Sequence, residues 1–312
     1  MFQRILVAVD HSNRSERAVQ QAVAIAERTG AEMILAHVIE PDGITDNDWA
    51  TVPYAERKHV ASHLLERYAK SILIPVEMEL LEGKNVALEL AQLATRTESD
   101  LIVIGTHGRS GLARWIQGSV AEEVLRRATV PVMLIRDVEI YNVNESPLQR
   151  VLVTTDGTSL SRDALHVARD FVAGLHTELF VLHVMPDPGL PPAVGPTPID
   201  QKALRRDLEL ESGLILNQAI RDLESPRAQP LLIAEHGRHV SEAIVHAARD
   251  HGIDLIIMGT HGRSGLDRLL VGSVAQGVSC RAEVPVILVK SGQGFVDSVR
   301  TVAGKAVSNR MA

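Results

Sequence analysis

Leu101–Val120 reads LIVIGTHGRSGLARWIQGSV, and Leu255–Val274 reads LIIMGTHGRSGLDRLLVGSV. Each opens with four continuous apolar residues and runs directly into glycines. A short apolar run without polar alternation has no face to give to water, so it reads as a strand covered on both sides, the mark of a parallel sheet between helices. The likeness extends onward: Leu101–Arg136 and Leu255–Lys290 are identical at 22 of 36 positions, including an uninterrupted GTHGRSGL. The chain is therefore a duplication.

Working outward, RILVAVD at Arg4–Asp10 recurs as RVLVTTD at Arg150–Asp156, a displacement of 146 residues. At the same displacement the helical stripe Ala18, Val19, Ala22, Ala26 meets Ala164, Leu165, Ala168, Val172, and His37-Val38 meets His183-Val184. By Gly105 and Gly259 the displacement is 154, so the second copy holds eight extra residues. The expected place for them is the proline- and glycine-rich loop Pro186–Pro198, which can sustain neither a helix nor a ladder.

Each copy is far longer than a solenoid repeat and should be a domain with its own core. The expected domains are residues 1–138 and 149–290, joined by a polar stretch ending in Ser146-Pro147, with a tail over 291–312. In the first copy the patterns predict strands near Arg4–Val9, Met33–Val38, Ile74–Glu79, Leu101–Ile104 and Val132–Arg136. Helices are expected near Ser15–Arg28, Ala55–Lys70, Val86–Thr97 and Ser119–Ala128. This βα alternation predicts an α/β class with two tandem doubly wound five-stranded parallel-sheet domains, Rossmann-like in kind.

Composition removes several functions. With 32 Lys and Arg against 39 Asp and Glu, the formal charge is −7, and aromatics make up 3%. A phosphate-backbone binder needs a basic face and a single-strand binder needs stacking rings, so nucleic acid is not the expected partner. The lone cysteine, Cys280, cannot form an internal disulfide and suits a reducing compartment. No apolar run approaches the ~18 residues that span a bilayer, and the first residues lack a secretory pattern. The expectation is a cytoplasmic protein without a membrane partner.

Ligands of doubly wound sheets bind at the carboxyl ends of the strands. There the fourth strand of each copy meets Gly105, Gly108, Gly111 and Gly118, or Gly259, Gly262, Gly265 and Gly272. Gly105 and Gly108 would let main chain approach a polyphosphate, and the helix after Gly118-Ser119 offers free N–H groups and a positive dipole end. Ser119 and Ser273 read as N-caps able to reach a phosphate oxygen. No Walker P-loop is present, and Gly292-x-Gly294 lacks the third glycine of a dinucleotide fingerprint.

The pattern G-x-x-G, nine residues, then G-S, after a fourth strand, resembles the nucleotide-binding branch of the universal stress protein family. The first-strand Asp and the second-strand His-Val coincide as well, twice over, across nearly the whole chain. The resemblance implies strand order 3-2-1-4-5 and adenine and ribose contact by Asp10 and Val38. It implies phosphate and ribose contact by Ile104, Gly105, Gly108, Gly118, Ser119 and Val120. The second copy supplies Asp156, Val184, Met258, Gly259, Gly262, Gly272, Ser273 and Val274. The implied cofactor is ATP, ADP or AMP, with or without Mg²⁺, and the implied role is a stress-response sensor or regulator acting on an unidentified protein partner. The family also implies pairing of the two domains through their fifth strands, an intrachain pseudo-dimer that leaves a homodimer open.

Two other functions stay in view. Gly105–Ser119 contains no Asp or Glu to orient water or hold Mg²⁺, so the enzyme reading is at most a slow ATPase. A nucleotide-free interaction scaffold is the third. Plainer roles compete at single positions: Asp10 as cap of the first helix, His107 and His261 as loop-shaping residues, and Arg109, Arg114, Arg263 and Arg268 as solvated side chains. His236, His239, His246 and His251 read as surface histidines rather than metal ligands, because no carboxylate or Cys completes a ligand spacing. Leu204, Leu208 and Glu211–Leu216 read as a core-facing helical stripe.

Overall fold

The computed structural model describes residues 2–40, 52–106, 119–136, 148–187, 200–225, 227–235, 239–260 and 271–290. The chain divides into two compact units, one formed by its first half and one by Val143–Ser291. His107, Gly108, Gly118, His261, Gly262, the four loop arginines, His236, the domain boundary, most of the Pro186–Pro198 loop and the tail lie outside the described residues.

The first unit runs β1 (Arg4–Ala8), α1 (Asn13–Thr29), β2 (Glu32–Ile39), α2 (Tyr54–Lys70), β3 (Val76–Glu82), α3 (Val86–Arg96), β4 (Leu101–Thr106), α4 (Ser119–Arg127) and β5 (Val132–Arg136). Its strands pair in the order 3-2-1-4-5, all parallel. The second runs β6 (Arg150–Thr154), α5 (Ser159–Val172), β7 (Glu178–Met185), α6 (Gln201–Leu223), β8 (Ala228–Ala234), α7 (Val240–Asp250), β9 (Leu255–Gly259), α8 (Ser273–Arg281) and β10 (Val286–Val289). It repeats the same order, β8-β7-β6-β9-β10, again all parallel.

The apolar runs behave as their patterning requires. Ile5, Leu6 and Val7 of β1 and Leu101, Ile102 and Val103 of β4 are wholly buried, as are Val151, Leu152, Val153 and Leu255–Ile257. These central strands are sealed on both faces, which is why they carry no polar alternation. At about 25 cal/mol per Å² of apolar area removed from water, such strands dominate the favourable side of folding.

Each unit carries the same staple at the amino ends of its central strands. Asp100 accepts from the Gln3 and Arg4 amides at 2.7 and 3.1 Å, and Asp254 accepts from those of Gln149 and Arg150 at 2.8 and 2.9 Å. Arg4 pairs with Glu32 and Arg150 with Glu178 across the neighbouring strand. These carboxylates satisfy amides just ahead of the first strand and fix its register against the fourth. The carboxyl ends of the strands lie at the opposite end of each sheet.

Two expectations are corrected. The eight extra residues are not chiefly in the Pro186–Pro198 loop: α6 has 23 residues where α2 has 17, while the segments leading into them, 186–200 and 40–53, are nearly equal in length. The predicted core stripe on α6 is also mixed. Ser212 and Leu216 are buried, but Leu214, within that stripe, is 68% exposed, as is Leu210 beside it.

Candidate functional site

In the second unit the sheet switches direction at β6, with β7 on one side and β9 on the other. Doubly wound sheets open a crevice at such a point, beyond the carboxyl ends of the strands. A cavity of about 320 Å³ lies there. It is walled by Thr154, Thr155 and Asp156 at the end of β6, Leu182–Val184 of β7, Met258–Thr260 of β9, Gly272–Ala275 at the start of α8, and Val240 and Ile244 of α7. Seven of the eight residues expected in this copy line it, namely Asp156, Val184, Met258, Gly259, Gly272, Ser273 and Val274; the eighth, Gly262, falls outside the described residues.

The chemistry of the walls is divided. Leu182, Val184, Ile244 and Met258 give apolar surface for a flat ring, while Asp156 is the one carboxylate among the described lining residues. At the other side stands the start of α8. Its N-cap is Gly272, whose N–H donates to Thr260 O at 2.7 Å, and no side chain caps the helix. Gln276 N is bonded to Gly272 O, so the amides of the first turn before it are the donors a helix leaves for an anion. The first turn of α8 also carries no acidic residue. Ser273 is thus the first helical residue, not the cap that its sequence position suggested.

In the first unit the matching strand ends also converge. Ala8 lies opposite Ala36 and Ile104 in register, so Asp10, Val38, Ile104 and Gly105 follow at the same end of three neighbouring strands. Ser119 and Val120 begin α4. Gly105 has a packing reason for lacking a side chain: a Cβ there would stand 2.8 Å from Arg14 Cβ and 3.4 Å from the Arg14 carbonyl carbon and oxygen. The close approach that this glycine permits is therefore with α1, whatever else it faces.

Asp10 is not the cap of α1; Ser12 holds that position. Instead its Oδ1 accepts from the Ser12 amide at 2.9 Å, from the Ser12 hydroxyl and from the Ser15 hydroxyl at 2.6 Å. Desolvation pushes the Asp10 carboxyl upward, but the Ser12 and Ser15 donors outweigh it and hold the carboxyl below its ordinary value. Asp156 Oδ1 accepts from the Thr158 amide and hydroxyl at 3.0 and 2.6 Å, and Thr158 caps α5. Both aspartates are thus anchored through one oxygen to the start of the next helix.

Residues beyond the sequence expectation complete the site. His183 lines the cavity, and its Nδ1 lies 2.8 Å from the carbonyl of Thr155; His37 Nδ1 lies 2.8 Å from that of Val9. With a carbonyl acceptor the nitrogen must carry the proton, so each histidine pins the residue just ahead of the aspartate. The repeated His-Val pair was the available signal. Thr155 and Thr260 lie within the repeated motifs but carried no assigned role, and Ser161, Val240 and Ile244 had no motif to mark them. In the first unit His11 sits edge-on to His37 at 5.7 Å, and burial, reinforced by that neighbour, lowers its pKa. The second unit has Gly157 there, at φ +81°, and a Cβ on it would lie 3.0–3.2 Å from the Ile215 side chain. Gly157 thus makes room for α6 and needs no phosphate loop to explain it.

Of the histidines weighed as metal ligands, His239 caps α7, His246 is exposed and His251 packs against Phe180. Among the described residues no group of three or more His, Cys, Asp or Glu is placed to hold a metal ion, and no helix is long and apolar enough to cross a membrane.

Comparison with known proteins finds relatives along both halves of the chain. The universal stress protein family matches residues 1–136 and again 147–290. A universal stress protein of Mycobacterium tuberculosis is 28% identical over 304 residues, covering 92% of this chain and 96% of the relative. The crystal structure of a universal stress protein from Archaeoglobus fulgidus superposes with a TM-score of 0.60 at 20% identity, covering 93% of this chain and 97% of its own. A Pseudomonas aeruginosa protein described as functionally unknown gives 0.63 at 17%, covering 97% and 98%. Those two structural likenesses speak to the fold alone.

Proposed function

The chain belongs to the universal stress protein family in both of its halves, and from that premise we propose that each unit binds one adenine nucleotide and that the bound state regulates contacts with a protein partner during stress. The observation that carries this reading is the cavity at the carboxyl ends of β6, β7 and β9, lined by all the described residues expected there. Its volume falls at the small end of the range of about 300–1,000 Å³ usual for ligand sites. In this reading Val184 and Met258 flank the base, Asp156 accepts from the base or ribose, and the α8 amides meet phosphate. Asp156 is the one carboxylate among the described lining residues, and in this reading base or ribose engages it rather than a phosphate-bound Mg²⁺.

A binder is favoured over an enzyme by the same inventory. Among the described lining residues Asp156 is the one acid, which leaves no second carboxylate there to orient a water, and hydrolysis is expected to fall far below the ~10 s⁻¹ of ordinary enzymes. The exposed Cys280 thiol supports work in the reducing cytoplasm. The test is equilibrium titration of ATP, ADP and AMP onto protein stripped of co-purified nucleotide. Saturable binding of at least one is expected. Absence of binding by all three returns the chain to the scaffold reading.

A further inference from the structure

The two aspartates are anchored differently, and one residue accounts for it. In the first unit Ser15, buried, closes a ring: the Asp10 amide donates to Ser15 Oγ at 2.7 Å and Ser15 Oγ donates to Asp10 Oδ1 at 2.6 Å. The residue ahead of Asp10 is Val9, buried and without a polar atom in its side chain. In the second unit the corresponding serine is Ser161, and the residue ahead of the aspartate is Thr155; both are buried. Ser161 Oγ donates to Thr158 O at 3.0 Å and lies 3.1 Å from Thr155 Oγ1. A serine hydroxyl has one proton. With that proton spent on Thr158 O, Thr155 is the donor in its contact with Ser161, while Thr155 Oγ1 also accepts from the Gly157 amide at 3.2 Å.

We propose that the residue preceding the aspartate, Val9 in one unit and Thr155 in the other, makes the two nucleotide sites unequal by deciding whether the helix serine holds the aspartate. The inference rests on the nucleotide reading above for its consequence, and on hydrogen bonding alone for its cause. Val9 leaves the Ser15 hydroxyl to Asp10, which is thereby fixed before ligand arrives. Thr155 turns Ser161 toward the loop, so the Ser161 proton goes to Thr158 O rather than to Asp156, whose Oδ1 accepts from Thr158. A pre-oriented acceptor loses less freedom on binding, and a hydrogen bond to a charged group is among the stronger kinds, so the first site is the tighter one. Val9 and Thr155 are positioning residues; neither needs to touch the ligand.

Two measurements on the full chain test this. In nucleotide-free protein labelled with ¹³C at aspartate, the Asp10 carboxyl resonance should shift on Ser15→Ala, shift likewise on Val9→Thr, and shift no further in the double variant. Separate additive shifts overturn the switch. For the consequence, the second cavity is filled by Ile244→Trp and ATP is titrated onto the first site. Val9→Thr should weaken binding about tenfold, and should have no further effect once Ser15 is alanine. Thr155→Val, with Ile244 intact, should tighten the weaker of two sites and lose that effect in Ser161→Ala. An undiminished affinity in Val9→Thr, or one that falls equally without Ser15, overturns the proposal. Resonances that behave as expected in a chain that binds no adenine nucleotide overturn the functional reading and the claim of unequal affinity, and leave the hydroxyl switch standing.

Discussion

Gly105→Ala separates packing from ligand binding at the position where both were expected. The added Cβ would stand 2.8 Å from Arg14 Cβ and 3.4 Å from two backbone atoms of Arg14. The first distance is shorter than any relaxed carbon contact, and it involves the rigid base of the side chain rather than its flexible end. Either β4 or the first turn of α1 must move. Overpacking of this kind costs about 1–3 kcal/mol, so the variant should lose that much stability with no nucleotide present. For a domain of this size this corresponds to roughly 4–12 °C in melting temperature. Urea titration followed by far-ultraviolet circular dichroism measures this loss. Because Arg14 immediately precedes Ser15, displacing it should also disturb the Ser15–Asp10 ring. Unchanged stability in the absence of ligand, with nucleotide binding lost, would refute the packing argument and return Gly105 to a purely ligand-facing role.

Further outcomes follow from the same structure. Gly157→Ala, at φ +81° and against Ile215, should destabilise the second unit by about 1–3 kcal/mol in thermal unfolding, whereas Gly30→Ala, at φ +72° with nothing within 4 Å, should cost only the backbone term of about 1 kcal/mol. Burial pushes the Asp100 carboxyl up to about 6 from 3.8, against the pull of the Gln3 and Arg4 amides. The folded state therefore binds this proton more tightly than the unfolded one: its contribution is complete below pH ~3.8 and lost as pH rises through about 6. Urea titrations should show this group adding about 2 kcal/mol between pH 7.5 and 4.5, an increment absent in Asp100→Asn; the opposite slope would contradict the burial argument. The Asp10 carboxyl, held below its ordinary value, acts in the other sense but only at more acid pH. Calorimetry should count about two nucleotides per chain and about one for each of Gly108→Val and Gly262→Val, since both copies carry the whole glycine pattern.

Much of the fold was legible because doubly wound sheets impose a coarse and redundant pattern. Continuous apolar runs such as Leu101–Ile104 have no amphipathic alternative, and duplication let each strand be read twice. The added length of α6 was hidden for a physical reason: insertion of nearly two turns keeps helical character, while the adjacent prolines advertise a loop. The exposure of Leu210 and Leu214 was equally hidden, because a helix apolar on several sides does not announce which side its sheet takes. In the site, the strand-end residues were legible because glycine spacing and strand termini are one-dimensional signals. Thr155, Ser161 and Ile244 were not, since a buried hydroxyl and an ordinary aliphatic side chain acquire their role only when β6, α5 and α7 are brought together. Asp10 looked like a cap for a related reason. Ser12 and Asp10 are both good caps by type, and only the backbone turn decides which is the cap and which accepts from it.

If the second unit's cavity receives nucleotide with phosphate at the start of α8, hydrogen exchange resolved to single amides will report it. Ser273, Val274 and Ala275 precede the first helical bond of α8, which runs from Gln276 N to Gly272 O, and no side chain caps them. In nucleotide-free protein they should exchange freely; saturating ATP should slow them by tenfold or more, because the phosphate takes the place of water as their acceptor. Saturable ATP binding that leaves these three amides exchanging as before would place the ligand elsewhere and contradict the account.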